Sequence, residues 1–211
     1  MARRPSSGPE LRASAQRAGV RDPRVLAAIE SVPREAFLPP EFAADAAADR
    51  PLPIPEGQTT SQPSLIALMV EALRPREGLR VLEIGTGYGY EAAVLAATGA
   101  AVWTVDVFPA LATAAAANLA ALGVGSVRVR AGDGSLGWPE EEPFDAVIVA
   151  ARCDAVPPAL VDQLAEGGRL VAPVGREWDE RCLVYVKREG ALVLVQDLGG
   201  VRFVPLLRGR P

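Results

Sequence analysis

The stretch VLEIGTGYGY, residues 81–90, constrains the fold more than any other part of this chain. Val81-Leu82-Glu83-Ile84 reads as the end of a strand that starts at Leu79, and it runs directly into Gly85-Thr86-Gly87-Tyr88-Gly89 and a helical stretch from Gly89 to Thr98. Glycines allow the tight turn and let a ligand approach the backbone closely, while the helix start offers unpaired N–H groups. Strand, glycine turn and helix in that order form the ligand-facing corner of a doubly wound α/β sheet.

The sequence around it keeps the same rhythm. Strands are expected at Ala101–Asp106, Ser126–Arg130, Phe144–Ala150 and Arg169–Val174, with helices at Pro109–Leu122 and Pro157–Leu164 between them. Alternation of this kind predicts a mostly parallel Rossmann-like sheet covered on both faces. Cys182–Lys187, Ala191–Gln196 and Val201–Leu206 read as strands without intervening helices, so an antiparallel C-terminal edge is expected, with Arg188-Glu189-Gly190 as a hairpin turn. Ahead of the sheet, Glu10–Ala18 and Asp22–Ser31 read as core-covering helices, the second capped by Asp22 with Pro23 in its first turn. The proline-studded path from Pro33 to Pro55 is expected to be extended. Residues 1–78 are thus read as a helical elaboration with a lid segment, and residues 79–211 as the binding core of one compact unit. The opening Arg3-Arg4 pair reads as a frayed terminus.

Composition narrows the chemistry. A net charge of -4 argues against phosphate-neutralising nucleic-acid binding. No run has the length of a membrane span and no signal-peptide core opens the chain, so the cytoplasm and a monomer are the default expectations. Cys153 and Cys182 lack metal-site spacing and read as free thiols, and no metal is expected. The chain has no histidine, which removes the commonest general base.

Asp106 closes the strand after the glycine turn, where a carboxylate accepts ribose hydroxyls, and Val107 follows it. A nicotinamide dinucleotide and S-adenosylmethionine both fit that pattern. The GxGxG spacing, Glu83 within the strand and Gly132-Asp133-Gly134 after the third strand favour the second. Upstream, GQTTSQPSLIA places Gln58, Thr59, Thr60 and Ser61 before an apolar helical run. One hydroxyl suffices for a cap, and Ser61 fits that position with Pro63 in the first turn. The surplus hydroxyls and amide point to a site.

Taken together, LPIPEGQTTSQPSLIALM, VLEIGTGYGY, TVDVFPALA, GDGSLGW, PFDAVIVAA, LAEGGRLVAPVG and VRFVPL resemble the protein-L-isoaspartate O-methyltransferases from about Leu26 to Leu207. The resemblance implies methyl transfer from S-adenosylmethionine to the free carboxylate of L-isoaspartyl residues in damaged proteins and peptides, leaving S-adenosylhomocysteine. It further implies that Gly85, Thr86 and Gly87 face the methionine part of the cofactor, Asp106 the ribose, and Asp133 with Gly134 the adenine. Ser61 matches the active-site serine, Gln58, Thr59 and Thr60 its lid, and Val204 the backbone that aligns the substrate peptide. Relatives commonly read TAAAPxxP where this chain has Ala151-Arg152-Cys153-Asp154, and Glu56, Thr60 and Asp106 also depart from the usual residues. Arg152 is either one half of a solvated ion pair with Asp154 or a partner for a second acceptor carboxylate. A carboxyl methyltransferase specialised on one peptide, a cofactor-binding protein without turnover and a nicotinamide-dependent oxidoreductase are the competing readings.

Overall fold

Helices α1 (Gly8–Ala18) and α2 (Pro23–Ser31) open the computed structural model, which describes residues 7–209. The Arg3-Arg4 pair lies outside these residues. The α2 start is as its sequence requires: Pro23 occupies the first turn and the Asp22 carboxylate accepts the Arg24 N–H at 2.8 Å. The proline-rich path that follows is not extended throughout. It folds into 3-10 turns at Arg34–Phe37 and Pro40–Asp45, because a proline φ near -65° suits a tight turn as well as an extended chain.

The path then makes a hairpin of β1 (Leu52–Ile54) and β2 (Gln58–Thr60) before α3 (Pro63–Ala72). Glu56 and Gly57 have φ of 62° and 66°, the left-handed pair of a type I′ turn, so the end of the path, expected to be extended, is paired with the lid segment as a hairpin.

The sheet follows as β3 (Arg80–Ile84), α4 (Tyr90–Ala97), β4 (Ala101–Asp106), α5 (Pro109–Ala121), β5 (Val127–Ala131), β6 (Phe144–Val149), α6 (Pro158–Asp162), β7 (Leu164–Val174), β8 (Arg181–Arg188) and β9 (Ala191–Gly200). Spatial order is β5-β4-β3-β6-β7-β8-β9, parallel through β7 and antiparallel beyond it. The Rossmann-like α/β reading therefore holds, with Glu189 and Gly190 (φ 53° and 77°) turning the last hairpin. Val201–Leu206 is a correction. β9 ends in Gly199-Gly200, and the tail keeps only one parallel bridge, between Pro205 and Arg152. Pro205 has no N–H to continue a ladder.

Chain direction across the sheet reverses between β3 and β6, and ligands bind at such a switch point beyond the carboxyl ends of the strands. Period-two alternation assigns the faces. Val81, Ala146 and Ile148 join α1–α4 in one core, which includes Leu11, Val25 and Ile29, while Leu82, Ile84, Val147 and Val149 pack on the other side with Leu160. Glu83 shares the first face and is thereby driven under α4. Among the described residues no helix is long and apolar enough to cross a membrane.

Candidate active site

A cleft opens at the switch point. Its floor is the glycine turn, where Gly85, Gly87 and Gly89 all have positive φ (97°, 54° and 93°). A Cβ on Gly85 would sit 3.4 Å from Ala150 at the end of β6, so the turn is pressed against the neighbouring strand. Ile84, Val107, Phe108 and Leu111 form an apolar wall suited to a flat ring. Gly134 lines the same wall, and a Cβ there would meet Ile84 Cγ2 at 2.5 Å.

Asp106 is buried and faces this cleft. Its carboxylate accepts the Gly87 N–H at 2.8 Å and the Phe108 N–H at 2.9 Å, which ties the turn to β4 and leaves lone pairs for a ribose. Burial raises its pKa, against the pull of those two bonds. Thr86 is also buried, its hydroxyl 2.6 Å from that of Thr104.

Asp133 departs from its expected orientation. Its Oδ1 accepts the Ser135 N–H and hydroxyl at 2.9 and 2.7 Å, and its Oδ2 accepts the Gly209 N–H of the tail at 2.8 Å. Partial burial would raise its pKa, but these bonds outweigh it and hold the group low. Gly134, not the Asp133 side chain, lines the cleft wall.

The lid corrects one expectation and strengthens another. Ser61 is not the cap of α3: that position falls to Gln62, whose side chain makes no capping bond. The Asp49 carboxylate performs the task from the preceding loop, accepting the Ser64 N–H at 2.9 Å and the Gln62 amide at 3.1 Å. Half-buried Ser61 therefore stands on the cleft wall with no capping duty. It borders both the glycine floor, with Gly85, Thr86 and Gly87, and a larger groove lined by Leu65, Phe203 and Val204. Thr59 is exposed and borders both regions, and Gln58 faces the cofactor side with its amide held by the Glu56 carbonyl at 3.0 Å. The Thr60 oxygen is committed to the hairpin, accepting the Leu52 N–H at 3.1 Å and Arg34 at 3.3 Å.

Arg34, which sequence reasoning passed over, is fully buried beneath this lid. It also donates to the carbonyls of Ala46, Ala48 and Arg50 at 3.3, 2.5 and 2.8 Å, fastening the path that leads into the hairpin.

At the groove's far rim the tail pairs with the loop after β6. Arg152 N–H donates to the Val204 carbonyl at 2.8 Å, and Leu206 N–H donates to the Arg152 carbonyl at 2.7 Å. The Val204 carbonyl is thus paired with the loop, and Val204 lines the groove. Arg152 is largely buried, 3.3 Å from an exposed Asp154, and lines the rim with Arg202 and Trp178. Trp178 is 70% exposed, with the Arg202 guanidinium 3.8 Å from its ring centre. A tryptophan in the polar run Arg176–Arg181 was the signal that would have exposed it. Cys153 and Cys182 are buried free thiols, pushed by burial to about 11 and about 12.

Two carboxyls lie under the glycine turn. Glu83 is fully buried and neither of its oxygens has a partner at hydrogen-bonding geometry; the Thr104 hydroxyl, 2.6 Å from that of Thr86, is close enough to pull its pKa down without outweighing burial. Burial first, then the Glu91 charge, raise its pKa well above the usual range. Glu91, absent from the sequence-based candidates, is 5% exposed on the first turn of α4 and is pushed by burial from 4.5 to about 8. Both folded values lie above the unfolded ones. The stability tied to Glu91 is therefore complete below pH 4.5 and is lost as pH rises through about 8, and Glu83 acts in the same direction. The ligand-free protein is expected to lose on the order of a few kcal/mol of stability, several degrees in melting temperature, between pH 5 and 8.5, and Glu91→Gln to remove most of that loss. An unchanged pH profile in a calorimetric scan of the variant would refute the assignment.

The donor set suits S-adenosylmethionine: a close-approach turn, an apolar wall, a cleft-facing carboxylate and unpartnered carboxyl groups near the turn. Known proteins agree. The family model described as Protein-L-isoaspartate(D-aspartate) O-methyltransferase (PCMT) matches residues 8–210. A protein-L-isoaspartate O-methyltransferase of Methylorubrum populi is 56% identical over 191 residues, covering 90% of both chains. One of Gloeobacter violaceus is 49% identical, over 92% of this chain and 94% of the relative. Among solved structures, a protein-L-isoaspartate O-methyltransferase matches with TM-score 0.82 and 31% identity, over 93% of this chain and 65% of that one. A putative enzyme of that name from Plasmodium falciparum, in complex with S-adenosyl-L-homocysteine, shares the fold at TM-score 0.82 and 23% identity. With the family model spanning nearly the whole chain and the glycine floor, lid and tail meeting around one cleft, this chain belongs to the protein-L-isoaspartate(D-aspartate) O-methyltransferase family.

Proposed function

We infer that this chain methylates the free carboxylate of L-isoaspartyl residues, with Ser61 holding the acceptor where the cofactor floor meets the peptide groove. The observation that carries this is Ser61 itself, released from capping by Asp49 and bordering both regions. S-adenosylmethionine, when bound, supplies an electrophilic methyl group on a sulfonium. Gly85, Thr86 and Gly87 would hold its methionine part, Asp106 and Val107 its ribose side, and the wall at Gly134 its adenine.

The protein needs no base. A carboxylate with a reference pKa of about 4 is already ionised at neutral pH, which accounts for an active site without histidine. Alignment is the main task left to the chain, and it is worth roughly 7–11 kcal/mol when geometry is close to the reactive one. The acceptor loses its charge during transfer, so a strong cation on the reacting oxygens would favour the ground state. A neutral hydroxyl orients it without that penalty. Arg152 and Arg202 stand at the groove rim, placed for a neighbouring carboxylate of the peptide and not for the reacting one.

A cytoplasmic monomer acting on peptide segments, without nucleic acid, completes the reading, the last in keeping with a net charge of -4. Repair is its consequence, since the methyl ester closes to a succinimide whose hydrolysis returns some normal aspartate. An isoaspartyl peptide incubated with the protein and S-adenosylmethionine is expected to accumulate its aspartyl isomer over hours, resolved by chromatography. A peptide that stays wholly isoaspartyl would count against the reading.

A further inference from the structure

Of the two carboxyls beneath the glycine turn, Glu83 has so far been tied to the cofactor only by its place in the strand, and Glu91 has no assigned part of its own. Glu91 Oε1 and both Glu83 oxygens are buried without a hydrogen-bond partner, and no hydrogen bond joins the two side chains. Leaving charged oxygens unpaired in the interior is costly, and such groups take up protons or find a cation. The groups that bear on the pair are Asp106 and Thr104 from β4 and Cys182 from β8, and none of these is a cation. Arg34, the buried cation of this half, turns both terminal guanidinium nitrogens to the carbonyls of residues 46–50 and to Thr60; its Nε is unpaired, and it is not among the groups that bear on Glu83 or Glu91.

The placement is directional. Glu83 sits behind the turn on β3, whereas Glu91 reaches the cleft floor beside Gly85, Thr86, Gly87 and Ser61. Glu91 also occupies the first turn of α4, where the positive end of the helix favours an anion once a counter-charge is present.

We propose that Glu91 is a cofactor-binding residue of this chain, which with Glu83 forms a buried two-carboxyl receptor that exchanges a proton for the α-ammonium group of the cofactor's methionine part. This rests on the placement of that part at Gly85–Gly87. With no ligand, burial and the mutual repulsion of the two carboxyls keep at least one of them neutral. When the ammonium enters, one carboxyl O–H bond breaks, its proton passes to the solvent, and the carboxylate accepts from the ammonium N–H groups. Net charge at the floor is conserved, so no uncompensated ion is left in the interior. Cofactor affinity then rises with pH up to the point where the pair would ionise unaided.

Titration calorimetry of the full chain at pH 7, in buffers of low and high ionisation enthalpy, tests this directly. S-adenosylhomocysteine carries the ammonium without the sulfonium, and its binding is expected to release about one proton. Methylthioadenosine, which lacks the amino-acid part, is expected to bind with no release. Glu91→Gln is expected to abolish the release and weaken S-adenosylhomocysteine by ~10-fold or more. Wild-type binding without proton release, or release of equal size with methylthioadenosine, overturns the proposal while leaving the cofactor site in place. Failure of both ligands to bind overturns the cofactor placement together with it. The ligand comparison uses the unaltered chain, so the outcome does not depend on the variant folding.

Discussion

Ser61→Ala lowers kcat/KM for methyl transfer to an isoaspartyl peptide by about 100-fold, the scale on which a misplaced reacting group costs rate. Stability changes by no more than about 0.5 kcal/mol, because Ser61 makes no capping bond and α3 keeps its start through Asp49. The two readouts separate the roles cleanly. A cap residue would lose about 1 kcal/mol of stability and little activity. Steady-state kinetics and a denaturation curve on one preparation decide between them, and a fully active, destabilised variant would return the segment to a structural part.

Arg34→Met gives the largest stability effect. The methionine keeps the apolar stem packed, but the carbonyls of Ala46, Ala48 and Arg50 and the Thr60 hydroxyl lose their donor. A hydrogen bond to a charged group contributes about 1.5–3 kcal/mol, and buried acceptors left unpaired add further cost. A loss of about 3 kcal/mol or more follows, or roughly 6–12 °C in melting temperature for a chain of this size. The lid hairpin is fastened by the same residue, so methyl transfer falls along with stability. A loss below about 1 kcal/mol would show that the path from residue 46 to residue 60 is held by other contacts.

The parallel core was legible because its signals are local. Period-two alternation in β3 and β6, the glycine turn and the run of helices between strands each lie within a few residues of one another. The hairpin at Leu52–Thr60 was not, since its residues form strands only against each other and against Arg34, 26 residues before Thr60. The same holds for the cap of α3: Asp49 reaches Ser64 from 15 residues away, and serine at position 61 looked sufficient from its neighbours alone. The tail misled for a different reason. Val201–Leu206 alternates like a strand, but Pro205 and the preceding Gly199-Gly200 end the ladder.

The candidate site divides along the same line. Gly85, Gly87, Asp106, Val107 and Gly134, named from the glycine pattern and the family resemblance, do line one cleft. Glu91 was missed although a signal existed: TyrGluAlaAlaValLeuAlaAla, the α4 sequence, is apolar on every side, so its one carboxylate had no solvent face to occupy. Arg34 depends on partners 12 to 26 residues away in sequence and carried no such local mark.

The most direct test of the whole account is methyl transfer from labelled S-adenosylmethionine to paired peptides that differ only in an isoaspartyl or aspartyl linkage. The account predicts base-labile label on the isoaspartyl peptide and none above background on its aspartyl twin. Equal labelling of the two, or no labelling of either, would contradict it.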